Sequence, residues 1–182
     1  MTLTVRQGDR SSPECPDAMP VVVVLDRLRS AYNVGNIFRV AEATRVAKII
    51  ACGYTAAPPH PKLAKTARGC DEVVPCEVAD TAAGAIRALK ADGYTVYAVE
   101  TALDAQMYWD CQLLFPAAIV LGNEALGIDP EALALCDAVI ALPARGQKNS
   151  INVGNCAAVV LFECLRQYLG ATARRFSLVK MD

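Results

Sequence analysis

Residues 20–44 read PVVVVLDRLRSAYNVGNIFRVAEAT, and the rhythm of this stretch changes part-way along. Residues 21–25 are apolar without alternation, the pattern of a strand buried on both faces. From Asn33 onward, Val34, Ile37, Phe38 and Ala41 recur at helical spacing, which predicts a helix over 33–44. A doubly covered strand followed at once by a helix opens a unit whose next strand runs parallel to the first.

The alternation continues along the chain. Strands are expected over 48–52, 72–76, 95–99, 117–121 and 138–142, and helices over 61–67, 81–90, 130–135 and 151–169. The expected fold class is therefore α/β, a mainly parallel sheet with helices on both faces. With 182 residues, 54% of them hydrophobic, the chain can bury one sizeable core. We expect a polar N-terminal tail over 1–19, one domain over 20–170 and a basic C-terminal tail over 171–182.

Several classes are excluded by composition. No apolar run approaches the roughly 18 residues that cross a bilayer, and the N-terminus lacks a basic-then-apolar signal pattern, so no membrane association and a cytoplasmic location are expected. The eight cysteines form no Cys-x-x-Cys pair, and the single histidine, His60, sits between prolines, so no metal site is expected. Net charge is −1, so any nucleic-acid contact must come from local patches such as Arg27 with Arg29, Lys62 with Lys65 and Arg68, Arg145 with Lys148, and Arg174 with Arg175. Read as structure alone, each is a solvated face.

Three polar, glycine-containing segments follow strands, where parallel sheets bind ligands. In the first, Asn33, Asn36 and Arg39 fall near one face of a helix, either as a cap with an exposed arginine or as donors for a phosphate or ribose. In the second, Gly122 lets a ligand approach the backbone and Glu124 supplies a carboxylate, unless it merely caps a turn. In the third, Ser150 is expected to cap a long helix that carries Asn152 in its first turn. The tetrapeptide Asn-Val-Gly-Asn occurs at 33–36 and 152–155 with unrelated flanks, so it reflects helix-start chemistry and not a repeat.

Taken in order, NVGNIFR (33–39), LGNEALGI (121–128) and LPARGQKNSINV (142–153) resemble motifs 1, 2 and 3 of the SpoU/TrmH branch of the SPOUT methyltransferases. The resemblance spans about residues 20 to 169, and the stretch around Gly53, Tyr54, Thr55 and His60 is similar to stand-alone members. It implies a sheet whose C-terminal part forms a trefoil knot, S-adenosyl-L-methionine as cofactor, a homodimer, and transfer of a methyl group to a ribose 2′-hydroxyl of tRNA or rRNA. By position, it implies catalytic roles for Arg39, Asn33, Glu124, Ser150 and Asn152, and cofactor contacts from Thr101, Gly122, Leu142 and Ile151. Arg29, Lys62, Lys65, Arg68 and Lys148 are expected to contact RNA. The departures are Ile151 for the commoner Leu and Gly154 for a frequent Ser. A SPOUT enzyme acting on a tRNA base or wobble ribose, and a non-catalytic RNA-binding factor, are the alternatives, whereas a Gly-x-Gly-x-x-Gly dinucleotide fingerprint is absent.

A guanidinium gives up its proton reluctantly, which makes Arg39 a costly base. The expectation is that Arg39 binds the adjacent phosphate and stabilises developing negative charge, with the proton leaving late or through Glu124 or water.

Overall fold

Val21, Val23 and Leu25 point to one side of the first strand and Val22 and Val24 to the other, and all five are buried. The computed structural model describes residues 18–179. Its elements are β1 (Met19–Asp26), α1 (Ala31–Thr44), β2 (Val46–Cys52), α2 (Pro61–Ala67), a 3-10 turn (Cys70–Glu72), β3 (Cys76–Ala79), α3 (Ala82–Ala91), β4 (Thr95–Val99), β5 (Gln106–Met107), β6 (Ala117–Leu121), α4 (Pro130–Leu135), β7 (Ala138–Ala141) and α5 (Val153–Val179). The strands form one sheet in the order β3-β2-β1-β6-β4-β7-β5. Every pairing in it is parallel.

On one face, Val34, Ile37 and Phe38 of α1, Leu63 of α2, and Ala157, Leu161 and Cys164 of α5 pack against Val21, Val23 and Leu25. On the other, Ile86 and Leu89 of α3 and Ala132 of α4 cover Val22 and Val24. The layered α/β architecture is thus the expected one. β7 enters the sheet between β4 and β5, two strands joined directly through 100–105. This order draws the 100–105 connection across the C-terminal end of β7.

Four departures from the expected boundaries stand out. The third strand is Cys76–Ala79 and not 72–76: Pro75 has no N–H to donate, and Val74 is buried in the main core while Cys70–Glu72 forms the 3-10 turn. The two-residue β5 carries no sequence pattern and escaped the reading. α1 starts at Ala31, two residues before Asn33, because Ser30 caps it. α5 begins after Asn152 and continues through Gly170 to Val179, past the expected end at 169. The side chains of Arg174 and Arg175, and residues 1–17 of the expected tail, lie outside what is described. Among the described residues, no helix is long and apolar enough to cross a membrane, no group of side chains could hold a metal ion, and the seven cysteines form no disulfide.

Candidate active site

β1, β4 and β6 end in register, Leu25 and Val99 both pairing with Leu121, so the loops that follow them emerge side by side. The loop after β1 turns through Arg27, at φ 52°, and is held by Thr55, whose hydroxyl donates to the Leu25 carbonyl at 3.1 Å and accepts from the Leu28 N–H at 2.9 Å. Ser30 then caps α1 by accepting from the Asn33 N–H at 3.3 Å.

Glu124, in the loop after β6, closes on this helix start. Its carboxylate accepts from the Arg29 N–H at 2.8 Å, the Ser30 N–H at 3.1 Å and the Asn33 side-chain amide at 2.8 Å. Burial opposes ionisation of Glu124. The backbone N–H of Arg29, the Asn33 amide and the backbone N–H groups of Glu124 and Ser30 outweigh it and hold the carboxyl below its ordinary value. Asn33 Oδ1 accepts in turn from Asn152 Nδ2 at 3.1 Å. Asn152 Oδ1 accepts from the Gly154 N–H at 2.9 Å, so Asn152 caps α5. The expectation that Ser150 caps this helix is therefore corrected, since the helix starts two residues later. Gly154, beside this cap, leaves room for Asn36, because a Cβ there would lie 2.7 Å from Asn36 Nδ2.

Glu124 and Asn152, bridged by Asn33, form a wall between two cavities. The first, about 610 Å³, is lined by apolar Val99, Leu121, Leu142 and Val153, by polar Glu100, Thr101, Asn149 and Ser150, and by Gly122 and Gly127. The second, about 770 Å³, is lined by Arg29, Tyr32, Asn33, Tyr54, His60 and Lys62. Glu124 and Asn152 line both.

Thr101, Gly122, Leu142, Ile151 and Ser150 all lie around the first cavity. Arg29 and Lys62 lie on the second. Lys65 and Arg68 are exposed on α2 and at its C-cap, and Lys148 is exposed in the loop after β7. Arg39 stands apart: it is exposed, lines neither cavity, and has no hydrogen-bond or ion-pair partner among the described residues. Six residues of helix place it roughly 9 Å along the α1 axis from Asn33.

Three residues that sequence reasoning passed over shape the site. Asp26, 1% exposed, accepts from the Arg27 guanidinium at 3.0 and 3.1 Å and from the Asp129 N–H at 2.7 Å, and so fixes the far end of the Glu124 loop. Glu100 accepts from the Thr101 N–H at 2.9 Å and the Ile128 N–H at 3.1 Å, tying the same loop to the end of β4. Asn123, 4% exposed, donates to the Arg27 carbonyl at 2.6 Å and to the Tyr54 hydroxyl at 2.8 Å. For Asp26 and Glu100, the one available clue was a carboxylate at the end of an apolar strand.

The model of the SpoU rRNA methylase family matches residues 20–162. The chain is 34% identical over 151 residues to the tRNA (guanosine(18)-2′-O)-methyltransferase of Thermus thermophilus, an alignment covering 83% of this chain and 77% of that protein. It is 35% identical over 153 residues to the 23S rRNA (guanosine-2′-O-)-methyltransferase RlmB of Vibrio parahaemolyticus, covering 84% of this chain and 61% of the relative. Among solved structures, the AdoMet-bound rRNA methyltransferase from Sinorhizobium meliloti superposes with a TM-score of 0.76 at 28% identity, over 83% of this chain and 57% of that one. The TrmH/SpoU tRNA modifying enzyme of A. aeolicus shares the fold, with a TM-score of 0.75 at 22% identity, over 82% of this chain and 75% of that one.

Proposed function

Because the chain belongs to the SpoU rRNA methylase family, we propose that it is an S-adenosylmethionine-dependent methyltransferase acting on a ribose 2′-hydroxyl of tRNA or rRNA. The observation that carries this reading is the shared wall: a donor cavity and an RNA-side cleft meet at Glu124 and Asn152, which Asn33 bridges from the cleft side.

The first cavity fits the cofactor. Its size lies within the usual range for small-ligand sites, and its lining combines an apolar part for a purine with polar groups for a sugar and an amino acid. Glu100 and Glu124 give it the negative character that a sulfonium and an ammonium group require. Thr101, Gly122, Leu142 and Ile151 would hold the cofactor, while the missing Cβ of Gly122 makes room for Gly127 and Ile128 of its own loop. Bound there, S-adenosylmethionine supplies an electrophilic methyl group that needs no metal.

The chain's residues then align the acceptor. Asn33 Nδ2 spends one N–H on Glu124, and Asn152 Nδ2 spends one on Asn33, which leaves each amide a second N–H for the ribose oxygen or its neighbours. These donors steady the oxygen as negative charge develops on it. Glu124, held ionised by its donors, is a weak base and acts as the scaffold of the wall, so the proton passes to water. Arg39, further along α1, reaches an RNA phosphate next to the target nucleotide. Arg29, Lys62, Lys65, Arg68 and Lys148 track the RNA backbone. Phe162 and Leu169, 52% and 41% exposed on α5, support pairing of two copies through that helix. The enzyme acts in the cytoplasm, with its RNA substrates.

The test is transfer of labelled methyl groups to unmodified tRNA and ribosomal RNA, followed by nucleoside analysis. A 2′-O-methyl nucleoside in one RNA class is the expected product. Label confined to bases, or no incorporation into either class, overturns the reading.

A further inference from the structure

Tyr54 is 60% exposed, yet its hydroxyl is fixed at 2.8 Å to the side-chain amide of Asn123, itself buried to 4%. The rest of that amide is also committed: it donates to the Arg27 carbonyl at 2.6 Å and accepts from the Ala125 and Leu126 N–H groups at 2.9 and 3.0 Å. Asn123 immediately precedes Glu124, so the Tyr54 ring is registered against the catalytic wall through a single rigid amide. An exposed aromatic ring held this firmly presents a π-face to a ligand. Its ring lines the RNA-side cleft together with Tyr32, 47% exposed, and the cations Arg29 and Lys62. Aromatic faces beside cations are the means by which unstacked bases are held.

We propose that Tyr54 is the stacking platform for the base of the target nucleotide, which enters the cleft splayed out of its helix so that its ribose reaches Asn33 and Asn152. This rests on the methyltransferase reading above and adds a positioning residue to it. Asn123 couples the two events, because the amide that orients the ring also braces the loop carrying Glu124. Tyr32 lines the same cleft.

The experiment uses a transcript carrying the nucleotide mapped by methyl labelling, and the same transcript with an abasic ribose at that nucleotide. Tyr54→Ala and Tyr54→Leu weaken binding of the intact transcript by at least about tenfold, within the range for one stacked base, and alter binding of the abasic transcript by less than about twofold. Both variants keep the wild-type affinity for S-adenosylmethionine. Tyr54→Phe keeps the ring and the RNA affinity but lowers kcat, since the link to Asn123 is cut. Equal and additive costs of the abasic site in wild type and in Tyr54→Ala overturn the assignment while leaving methyl transfer intact. A wild-type protein that methylates no RNA overturns both.

Discussion

Asn33 and Asn152, 119 positions apart in sequence, meet side chain to side chain at 3.1 Å, and the same Asn33 amide donates to Glu124 at 2.8 Å. Because one side chain serves as both donor and acceptor, its chemistry cannot be altered at one end alone. Asn33→Asp sets a second carboxylate against Glu124 while keeping the acceptor for Asn152. The expected cost is about 1–3 kcal/mol in denaturant unfolding at pH 7, with methyl transfer largely lost. Lowering the pH towards 4 narrows the stability gap, because protonating one of the two acids relieves the repulsion.

Glu124 makes the site acid-sensitive. Its folded carboxyl lies below the ordinary value of 4.5, so its contribution to stability is complete above that pH and is lost as pH falls through the depressed folded value. Glu124→Gln removes the titration. The stability difference between wild type and this variant stays constant from neutral pH down to about 5 and shrinks below about 4.5, as thermal melts across the range will show. For the same reason, the kcat profile of the wild type carries no inflection from Glu124 near neutrality.

Much of this was legible from local pattern. The apolar runs at Thr95–Val99 and Ala117–Leu121 fixed two central strands to the residue, since a strand buried on both faces leaves an uninterrupted hydrophobic signature. The motif residues Asn33, Glu124 and Asn152 could be singled out because polar groups beside glycine break that signature. Other features depend on distant partners. Ser150 and Asn152 are both acceptable caps, and here it is Asn152, whose other side-chain atom is engaged by Asn33, that starts the helix. Asp26 and Asn123 take partners 103 and 96 positions away, and no local rule reports such a bond. Pro75 misled in the opposite sense, because an apolar stretch around it looked extended but lacked a donor for the ladder.

Gly122 is required by crowding of backbone on backbone. A Cβ added there would lie 2.5 Å from the carbonyl carbon of Gly127 and 2.8 Å from Ile128 Cγ1, and would also press on the Ile128 nitrogen. Gly122→Ala therefore displaces the loop that Asp26 and Glu100 hold, costing about 1–3 kcal/mol of stability. Calorimetry should show S-adenosylmethionine affinity falling with it. Gly146→Ala is the control: nothing lies within 4 Å of the added methyl, so stability and cofactor affinity stay at wild-type values.

Arg39 should separate chemistry from stability and from cofactor binding. Its side chain is exposed, lines neither cavity and has no partner among the described residues, so Arg39→Ala should change unfolding free energy by no more than about 0.5 kcal/mol. The dissociation constant for S-adenosylmethionine should not move. If the guanidinium grips a phosphate beside the target ribose, its planar fork matters as well as its charge, and a lysine restores only the charge. Arg39→Lys should then lose more than about tenfold in kcat/KM, or 1.4 kcal/mol of transition-state stabilisation, with most of the loss in kcat. Near wild-type turnover in Arg39→Lys would show that a point charge suffices, and a parallel loss of cofactor affinity in Arg39→Ala would place the side chain in the donor cavity instead.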